Sequence, residues 1–374
     1  MRKHFLDNLR WIVILLLFPF HTFRIYSTFE NFYIHGSPNL FLTDFIILVG
    51  PWFMALLFVI AGISTYFSLK KRTSKEYLKE RTFRLLIPFV SGLILLVPVQ
   101  TFFAEKFHNG FTGSYFSQLI TFFTKFGDLS GYTGGFTPGH LWFILYLFII
   151  SLLGLLIIRL VSLYKNSSRK LDSSKKLNSY NSRKLNSFRR LNIEKINIIS
   201  IIPLFLIFLI MWPIINIDGK SIGGFLALFM LGYFILSNDR IQGILEKNKW
   251  YLSSIFIVCS VISLLITPQW SVGIFYDCFM AFLIWMAILS MIGLGKKYLS
   301  FHNDWSEYLT KASYPIFIFH QTWIVVVAYY TFLLTSSLIL QIVIILFGSF
   351  ILTIISYEII KRTKLTRFLF GIKE

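Results

Sequence analysis

The chain has 374 residues, of which 56% are hydrophobic, 18% aromatic and only 14% charged. This composition excludes a soluble globular protein, because no stretch shows the alternating polar pattern that soluble domains need. The formal net charge of +19 is explained by membrane topology, as shown below, and a nucleic-acid partner is not expected.

The hydrophobic residues form runs of about 20 residues, which is long enough to cross a hydrocarbon core about 30 Å thick. These runs predict ten transmembrane helices near residues 11–29, 42–68, 85–104, 140–160, 196–215, 221–237, 250–267, 272–293, 312–333 and 337–360. The predicted fold class is therefore an all-α integral membrane protein, with residues 1–374 forming a single bundle of about ten transmembrane helices.

The basic residues predict how the bundle is oriented, because cytoplasmic loops collect Lys and Arg. If the N-terminus is inside, only four of the 36 Lys and Arg residues fall on outer segments, namely Arg24, Lys106, Lys125 and Lys220. Both termini are therefore predicted to be cytoplasmic. The richness in Asn, Lys and Ile is typical of an AT-rich bacterial source, so the predicted location is a bacterial plasma membrane.

Two loops differ from the short connections elsewhere. The extracytoplasmic segment 105–139 is rich in Gly, Phe and Thr, and a loop of this length is either functional or partly re-entrant. The cytoplasmic segment 161–195 is basic and low in complexity, with near-repeats beginning at Lys170, Lys176 and Lys184. It is interpreted as a solvated linker that touches anionic lipid.

The first helix carries a row of ionisable residues, which are costly in a membrane and therefore informative. Arg10 and His21 are eleven residues apart, about 16 Å and close to three whole turns, so they share a face. Asp7 precedes Arg10 by three residues and Arg24 follows His21 by three, which extends the row in both directions. Pro19 is expected to bend the helix below His21. The row is either part of a functional cavity or a structural set of ion pairs.

A second basic cluster lies at the inner end of the third helix. Arg81 and Arg84 share a face there, and arginine forks at a helix N-terminus suit phosphate. The same residues are also explained by the cytoplasmic excess of positive charge.

Two further histidines are candidates on other helices. His140 begins the fourth helix and His320 lies in the middle of the ninth, and each is either a satisfied interior residue or part of a substrate cavity. A carboxylate near an outer helix end could orient a catalytic imidazole, and the sequence does not choose among Asp44, Glu30 and Asp277. No metal-ligand spacing, phosphate-binding Gly loop or Ser nucleophile elbow is present, so neither a metalloenzyme nor an ATPase is predicted.

In this order along the chain, the motifs resemble those of the acyltransferase 3 family of membrane acyltransferases. The opening Phe5-Leu6-Asp7-Asn8-Leu9-Arg10 with His21, and the pair Arg81-x-x-Arg84, are similar to that family's two N-terminal signatures. The stretches 139–143 and 314–321 are similar to its later landmarks. The segment Pro19-Phe20-His21-Thr22 most resembles the branch that includes periplasmic glucan succinyltransferases.

The resemblance implies an enzyme that moves an acyl group from cytoplasmic acyl-CoA to a hydroxyl of an extracytoplasmic glycan. Acetyl-CoA or succinyl-CoA is the implied donor, and no metal or permanently bound cofactor is implied. His21 would be the general base, with Arg24 stabilising the oxyanion, either in direct transfer or through an acyl-histidine. The remaining implied sites are acyl-CoA-binding residues Arg10, Arg81 and Arg84, and substrate-cavity residues Asp7, Asp44, His140, Trp142 and His320.

Two other interpretations stay open at the sequence level. Ten helices with buried charges also suit a transporter or flippase for a small anionic or lipid-linked molecule, although no internal repeat relates the two halves. The chain could also be a non-catalytic component of polysaccharide export in which His21 is merely packed. Consumption of a thioester distinguishes the enzyme from both.

Overall fold

The computed structural model describes residues 3–29, 31–127, 129–175, 196–266 and 273–372. Over these ranges the chain is almost entirely helical. The strands within them form a single small antiparallel hairpin, in which Asn216–Ile217 (β1) pairs with Lys220–Ser221 (β2). The all-α membrane fold predicted from the composition is confirmed.

Up to residue 175, the described part of the chain contains eight α-helices. They are α1 His4–Leu15, α2 Leu17–Arg24, α3 Leu40–Leu69, α4 Ser74–Arg81, α5 Ile87–Leu95, α6 Val97–Asn109, α7 Tyr115–Thr124 and α8 Trp142–Lys175. A π-helix, Thr82–Leu86, joins α4 to α5, and a 3₁₀ turn, Gly139–Leu141, leads into α8.

The described ranges from residue 196 onward contain nine more. They are α9 Ile198–Ile201, α10 Phe205–Met211, α11 Ile222–Leu231, α12 Asp239–Lys247, α13 Lys249–Ile266, α14 Ile274–Tyr298, α15 Asp304–Leu334, α16 Leu338–Ile360 and α17 Lys364–Leu369. A 3₁₀ turn, Ile202–Leu204, joins α9 to α10, and a π-helix, Gly232–Leu236, extends α11.

Eight helical segments of the described chain are long and apolar enough to cross a membrane. They are His4–Arg24, Leu40–Leu69, Ser74–Asn109, Gly139–Tyr164, Lys249–Ile266, Ile274–Tyr298, Asp304–Leu334 and Leu338–Ile360. A ninth crossing results if Ile222–Leu236 and Asp239–Lys247, which are bent by 96° relative to each other, count as one span.

Two of the ten predicted helices therefore do not count as crossings by themselves. The predicted helix at 196–215 is a shorter helical segment, Ile198–Met211, which a 3₁₀ turn containing Pro203 interrupts. The predicted helix at 221–237 ends where Asn238 caps a new helix in another direction. A count of apolar residues detects neither effect, because it registers burial in lipid and not the direction of the backbone. The count of ten stays a prediction.

The first predicted helix is interrupted at Leu16, between α1 and α2. Pro19 has no N–H, so the carbonyl of Leu15, four residues earlier, loses its helical partner. The helix is therefore interrupted below His21, within a single apolar segment His4–Arg24, and the predicted bend itself stays a prediction.

The ends of the spans form two opposite faces. At one face, which we call the basic face, Lys3 pairs with Asp239, and Gly371 near the C-terminus lies against Arg84. The opposite face carries the loop 25–39, the segment from α6 to α8 and the β-hairpin, which accepts a hydrogen bond from Tyr146 through the carbonyl of Lys220. The two ends of the described chain therefore share the basic face.

Helix α3 lies at the centre of the bundle, packed against α1, α2, α11, α13 and α14. It approaches α11 and the following π-helix closely, because a Cβ at Gly62 would overlap the carbonyl of Phe229 and one at Gly232 would overlap that of Val59. Small residues at such crossings let membrane helices pack backbone against backbone.

Both predicted loops contain helix. The segment 161–195, predicted to be cytoplasmic, is helical as far as Lys175, where α8 ends, and its remaining residues lie outside the described part of the chain. The segment 105–139 contains the end of α6 and all of α7, whose N-cap Ser114 accepts from the backbone of Ser117. The sequence predicted both segments as loops, because one is polar and the other is rich in glycine.

Candidate active site

The three candidate histidines come together inside the bundle. His21 on α2, His140 in the 3₁₀ turn before α8 and His320 on α15 are all buried, with 8%, 5% and 0% of their surfaces exposed. The ring centroids of His21 and His320 are 5.3 Å apart, and those of His140 and His320 are 5.1 Å apart. The sequence predicted each histidine separately, and only the packing of three spans makes them one histidine cluster.

The hydrogen bonds of two of these histidines assign their tautomers. Nε2 of His140 lies 2.8 Å from the carbonyl oxygen of Ile318, and Nδ1 of His320 lies 2.7 Å from that of Phe317. A carbonyl oxygen only accepts, so each of these nitrogens carries a hydrogen. In the neutral rings, Nδ1 of His140 and Nε2 of His320 therefore keep a lone pair.

A buried amide network holds the cluster in place. Gln100 on α6 donates to Thr322 at 2.8 Å and lies 3.3 Å from Nδ1 of His140, while its side-chain oxygen accepts from Gln321 at 3.0 Å. Sequence reasoning missed Gln100. Its signal was available, because a fully buried amide in the apolar run of α6 must find partners.

The loop after α2 covers His21 from the face opposite the basic one. The ring of Phe32 is stacked on that of His21, with centroids 5.7 Å apart and an angle of 17° between the rings. The guanidinium carbon of Arg24 lies 5.5 Å from the same phenyl ring. The backbone near Phe32 is fastened by His108, whose Nε2 donates to the Phe32 carbonyl at 3.0 Å, and by Tyr132, whose hydroxyl donates to the Asn31 carbonyl at 2.7 Å.

The predicted acyl-CoA-binding arginines lie at the basic face, where two of them turn inward onto α3. Arg10 pairs with Asp7 at 3.3 Å and donates to Ser64 at 3.2 Å. Arg81 donates to Thr65 at 3.2 Å and lies over the ring of Tyr77 at 4.8 Å.

Arg84, in contrast, is largely exposed and lies 3.5 Å from Glu80. A π-helix begins at Thr82, between the two arginines, and changes the angular spacing from that of an α-helix. The shared face of Arg81 and Arg84 stays a prediction.

The remaining predicted residues lie away from the histidine cluster. Asp44 is exposed near the start of α3 and Asp277 is exposed near the start of α14, and the choice of a carboxylate that orients an imidazole stays open. Glu30 lies outside the described residues. Trp142 is half-buried against Tyr146, 5.3 Å away, beside the β-hairpin.

Within the described ranges, no group of three or more His, Cys, Asp or Glu side chains is arranged to hold a metal ion. His140 illustrates why the histidine cluster is not such a group, because both of its ring nitrogens already face protein partners. The histidine cluster places imidazole lone pairs inside an apolar bundle. The arginines supply positive charge at the basic face.

Residues 3–358 match the family model described as an acyltransferase domain. The chain is also similar to proteins named glucans biosynthesis protein C, from Shigella dysenteriae serotype 1 (strain Sd197) and from the Escherichia coli strains O6:K15:H31 (536 / UPEC) and O1:K1 / APEC. Each is 29% identical over 177 residues, which is 47% of this chain and 43% of the relative. The aligned part thus spans less than half the length of these curated relatives. No solved structure matches the chain.

Proposed function

The chain belongs to the acyltransferase 3 family, whose model covers residues 3–358, and we propose that it transfers an acyl group from cytoplasmic acyl-CoA to a hydroxyl of an extracytoplasmic glycan. The family predicted from the sequence motifs is thereby confirmed. The observation that carries the proposal is the position of His21, a buried imidazole with arginines at one end of its span and the aromatic cover of Phe32 at the other.

The basic face is assigned to the cytoplasm. It carries both ends of the described chain and most of the Lys and Arg residues, which accumulate on the cytoplasmic side of membranes. In this topology Ile198–Met211 is the fifth of ten crossings, because it leads from the side where α8 ends to the β-hairpin on the opposite face.

The donor binds from the basic face. Arg10 and Arg81 present guanidinium groups there that are partly inserted against α3, and planar guanidinium groups suit phosphate oxygens. His21 lies eleven residues beyond Arg10, about 16 Å along a helix. The acyl end of the donor therefore reaches the imidazole while its phosphates stay at the surface.

The acceptor approaches from the opposite face, past Phe32 and the segment 105–139. The name of the relatives, glucans biosynthesis protein C, supports a glycan as the acceptor. Acetyl and succinyl groups are the two acyl groups proposed for transfer. The enzyme needs no metal for this chemistry, since a thioester is already activated and its thiolate is a good leaving group.

In the proposed step, His21 removes the proton of the acceptor hydroxyl while the hydroxyl oxygen attacks the thioester carbonyl carbon. The new C–O bond gives a tetrahedral oxyanion, which the cation of Arg24, one turn beyond His21, stabilises. The C–S bond then breaks, and the CoA thiolate takes the proton back from the imidazolium. The products are the glycan ester and free CoA.

The test is release of free thiol from acetyl-CoA and succinyl-CoA by the purified protein in lipid, with and without cell-envelope glycan. His21→Ala should abolish release, whereas His302→Ala, which removes an exposed histidine at the basic face, should leave it unchanged. No release of thiol by the wild type with either donor would favour the transporter interpretation over the acyltransferase one. Equal release by wild type and His21→Ala would remove His21 from the mechanism.

A further inference from the structure

Two buried ring nitrogens in the histidine cluster have no hydrogen-bond partner among the described residues. They are Nδ1 of His21 and Nε2 of His320, and they belong to neighbouring rings whose centroids are 5.3 Å apart and whose planes differ by 36°. A buried polar atom without a partner is costly, and pairs of such atoms in one site call for an explanation.

The two atoms have complementary roles. The Nδ1–H of His320 is committed to the Phe317 carbonyl, so Nε2 of the neutral ring is limited to accepting. Nδ1 of His21 belongs to the one ring of the cluster whose tautomer these hydrogen bonds leave unassigned. When it carries the hydrogen, it supplies the donor that Nε2 of His320 lacks.

The ring of His320 is held firmly enough for this role. Two residues on either side of His320 are held by hydrogen bonds from other parts of the bundle. His140 donates to the Ile318 carbonyl, and Gln100 donates to Thr322. The ring edges of Phe18 and Phe317 also pack against His320, with centroids 5.9 and 5.7 Å away.

We propose that His320 is a positioning residue that fixes the tautomer of His21. Its Nε2 accepts a hydrogen bond from Nδ1–H of His21 through one bridging water, because the two nitrogens lie in neighbouring rings but are not hydrogen-bonded to each other. This bridge leaves the lone pair of His21 on Nε2. That nitrogen is the one available to take the proton of the acceptor hydroxyl. The inference rests on the proposed function, in which His21 is the base.

As the hydrogen-bond acceptor for Nδ1–H of His21, a neutral histidine costs less to bury in a membrane than a carboxylate does. The exposed positions of Asp44 and Asp277 keep their charges out of the bundle, and a buried carboxylate in a membrane would carry a large desolvation cost. An imidazole accepts the same hydrogen bond without adding a charge.

The proton inventory of the step is balanced. His21 gains the hydroxyl proton at Nε2 and becomes an imidazolium, whose Nδ1–H keeps its water-bridged hydrogen bond to His320. His21 then returns one proton to the CoA thiolate. His320 stays neutral throughout and neither gains nor loses a proton, which separates a positioning role from that of a second base.

The test compares His320→Phe with His320→Gln, in thiol release and in NMR spectra of ¹⁵N-histidine-labelled protein in lipid. Phenylalanine keeps an aromatic ring among Phe18 and Phe317 but removes the acceptor, whereas the glutamine side-chain oxygen can accept. We expect His320→Phe to lower kcat by about 10- to 100-fold, the range for losing a partner that orients a histidine, with the KM for acyl-CoA unchanged. His320→Gln should retain most of the activity.

The NMR measurement does not depend on turnover. His21 should be the Nδ1–H tautomer in the wild type and a mixture of tautomers in His320→Phe, with the signal assigned by its loss in His21→Ala. An Nε2–H tautomer of His21 in the wild type, or an unchanged tautomer in His320→Phe, would overturn the inference. Equal loss of kcat in the Phe and Gln variants, with both folded, would also overturn it, because an acceptor would then not suffice. Absence of thiol release in the wild type, with the expected tautomers present, would count against the proposed function alone.

Discussion

The guanidinium group of Arg81 donates a hydrogen bond to the hydroxyl of Thr65 at 3.2 Å, and this contact turns the arginine into the bundle. Thr65 is in turn 3.0 Å from the hydroxyl of Tyr77, and Nε of Arg81 is buried without a partner among the described residues. Arg84, only three residues later, is exposed at the surface beside Glu80. The two arginines of one motif therefore have different environments, and different consequences are expected when each is removed.

Arg81→Ala should raise the KM for acyl-CoA by about 10- to 100-fold, because a charge-assisted hydrogen bond contributes about 1.5–3 kcal/mol. Arg84→Ala should raise it less, since an exposed group gains less from a charged partner. Steady-state thiol release over a range of acyl-CoA concentrations measures both. Lys311→Ala, which removes an exposed cation paired with Glu307 at the basic face, is the matched control. An unchanged KM in Arg81→Ala would leave positive-inside topology as the reason for this residue.

Phe32→Leu should increase thiol release in the absence of acceptor. The phenyl ring, 1% exposed, is stacked on His21, and its loss admits water to the site, where water competes as the acyl acceptor. The ratio of release without and with glycan measures the effect. Phe29→Leu, which changes a phenylalanine of the same loop that is 56% exposed, should leave the ratio unchanged. A Phe32 variant with the wild-type ratio would show that this ring does not shield the site.

Gly62→Ala should destabilise the folded protein, by about 1–3 kcal/mol or more, because its methyl group would overlap the carbonyl of Phe229 and force α3 away from α11. Gly243→Ala is the matched control on α12. There the nearest atom to an added methyl group is Nζ of Lys296 at 3.6 Å, an ordinary contact distance. Thermal unfolding in detergent should show a lower midpoint for the first variant and an equal or higher midpoint for the second, as alanine is the better helix former.

Acid should loosen the loop 25–39. Burial, and secondarily the nearby His108, lower the pKa of His35 below its ordinary value of 6.5, and its Nδ1 is buried without a partner within the described chain. The folded loop therefore binds fewer protons than the unfolded loop, so its stability is full above pH of about 6.5 and falls as the pH drops below that value. Limited proteolysis at pH 5.5 and 7.5 should show faster cleavage of the loop in acid. In His35→Asn the acid-dependent increase should be smaller, and an identical increase would assign it to another group.

Much of the fold could be predicted from the sequence, because helices buried in a membrane have a continuously hydrophobic composition. Within the described residues, all ten predicted segments contain helix, and eight helical segments are long and apolar enough to cross a membrane unaided. The segment 196–215 was predicted less well, since its helix is shorter and is interrupted by a 3₁₀ turn that contains Pro203. The segment 221–237 matches the helical stretch Ile222–Leu236, and the sequence did not predict the sharp bend after it, where Asn238 caps the next helix. The α-helical continuation of α8 to Lys175 was likewise hidden by a polar, low-complexity composition.

The sequence likewise predicted only part of the candidate site. The row from Arg10 to His21 could be read along one helix, because the helical repeat places residues eleven apart on one face. The contact of His21 with His320, and the inward turn of Arg81, could not be read, since each depends on how separate helices pack. Gln100, which ties His140 to α15, became visible only through its partners.

The sequence by itself thus determined that this protein is a helical membrane protein with the motifs of its family, because hydropathy, charge asymmetry and spacing along a single helix are local properties. The tertiary structure alone decided which imidazole lies beside His21, which nitrogen of His320 keeps its lone pair, and which arginine faces the interior. These depend on distances between residues as far apart in the chain as His21 and His320, and no local pattern encodes the packing that brings them together.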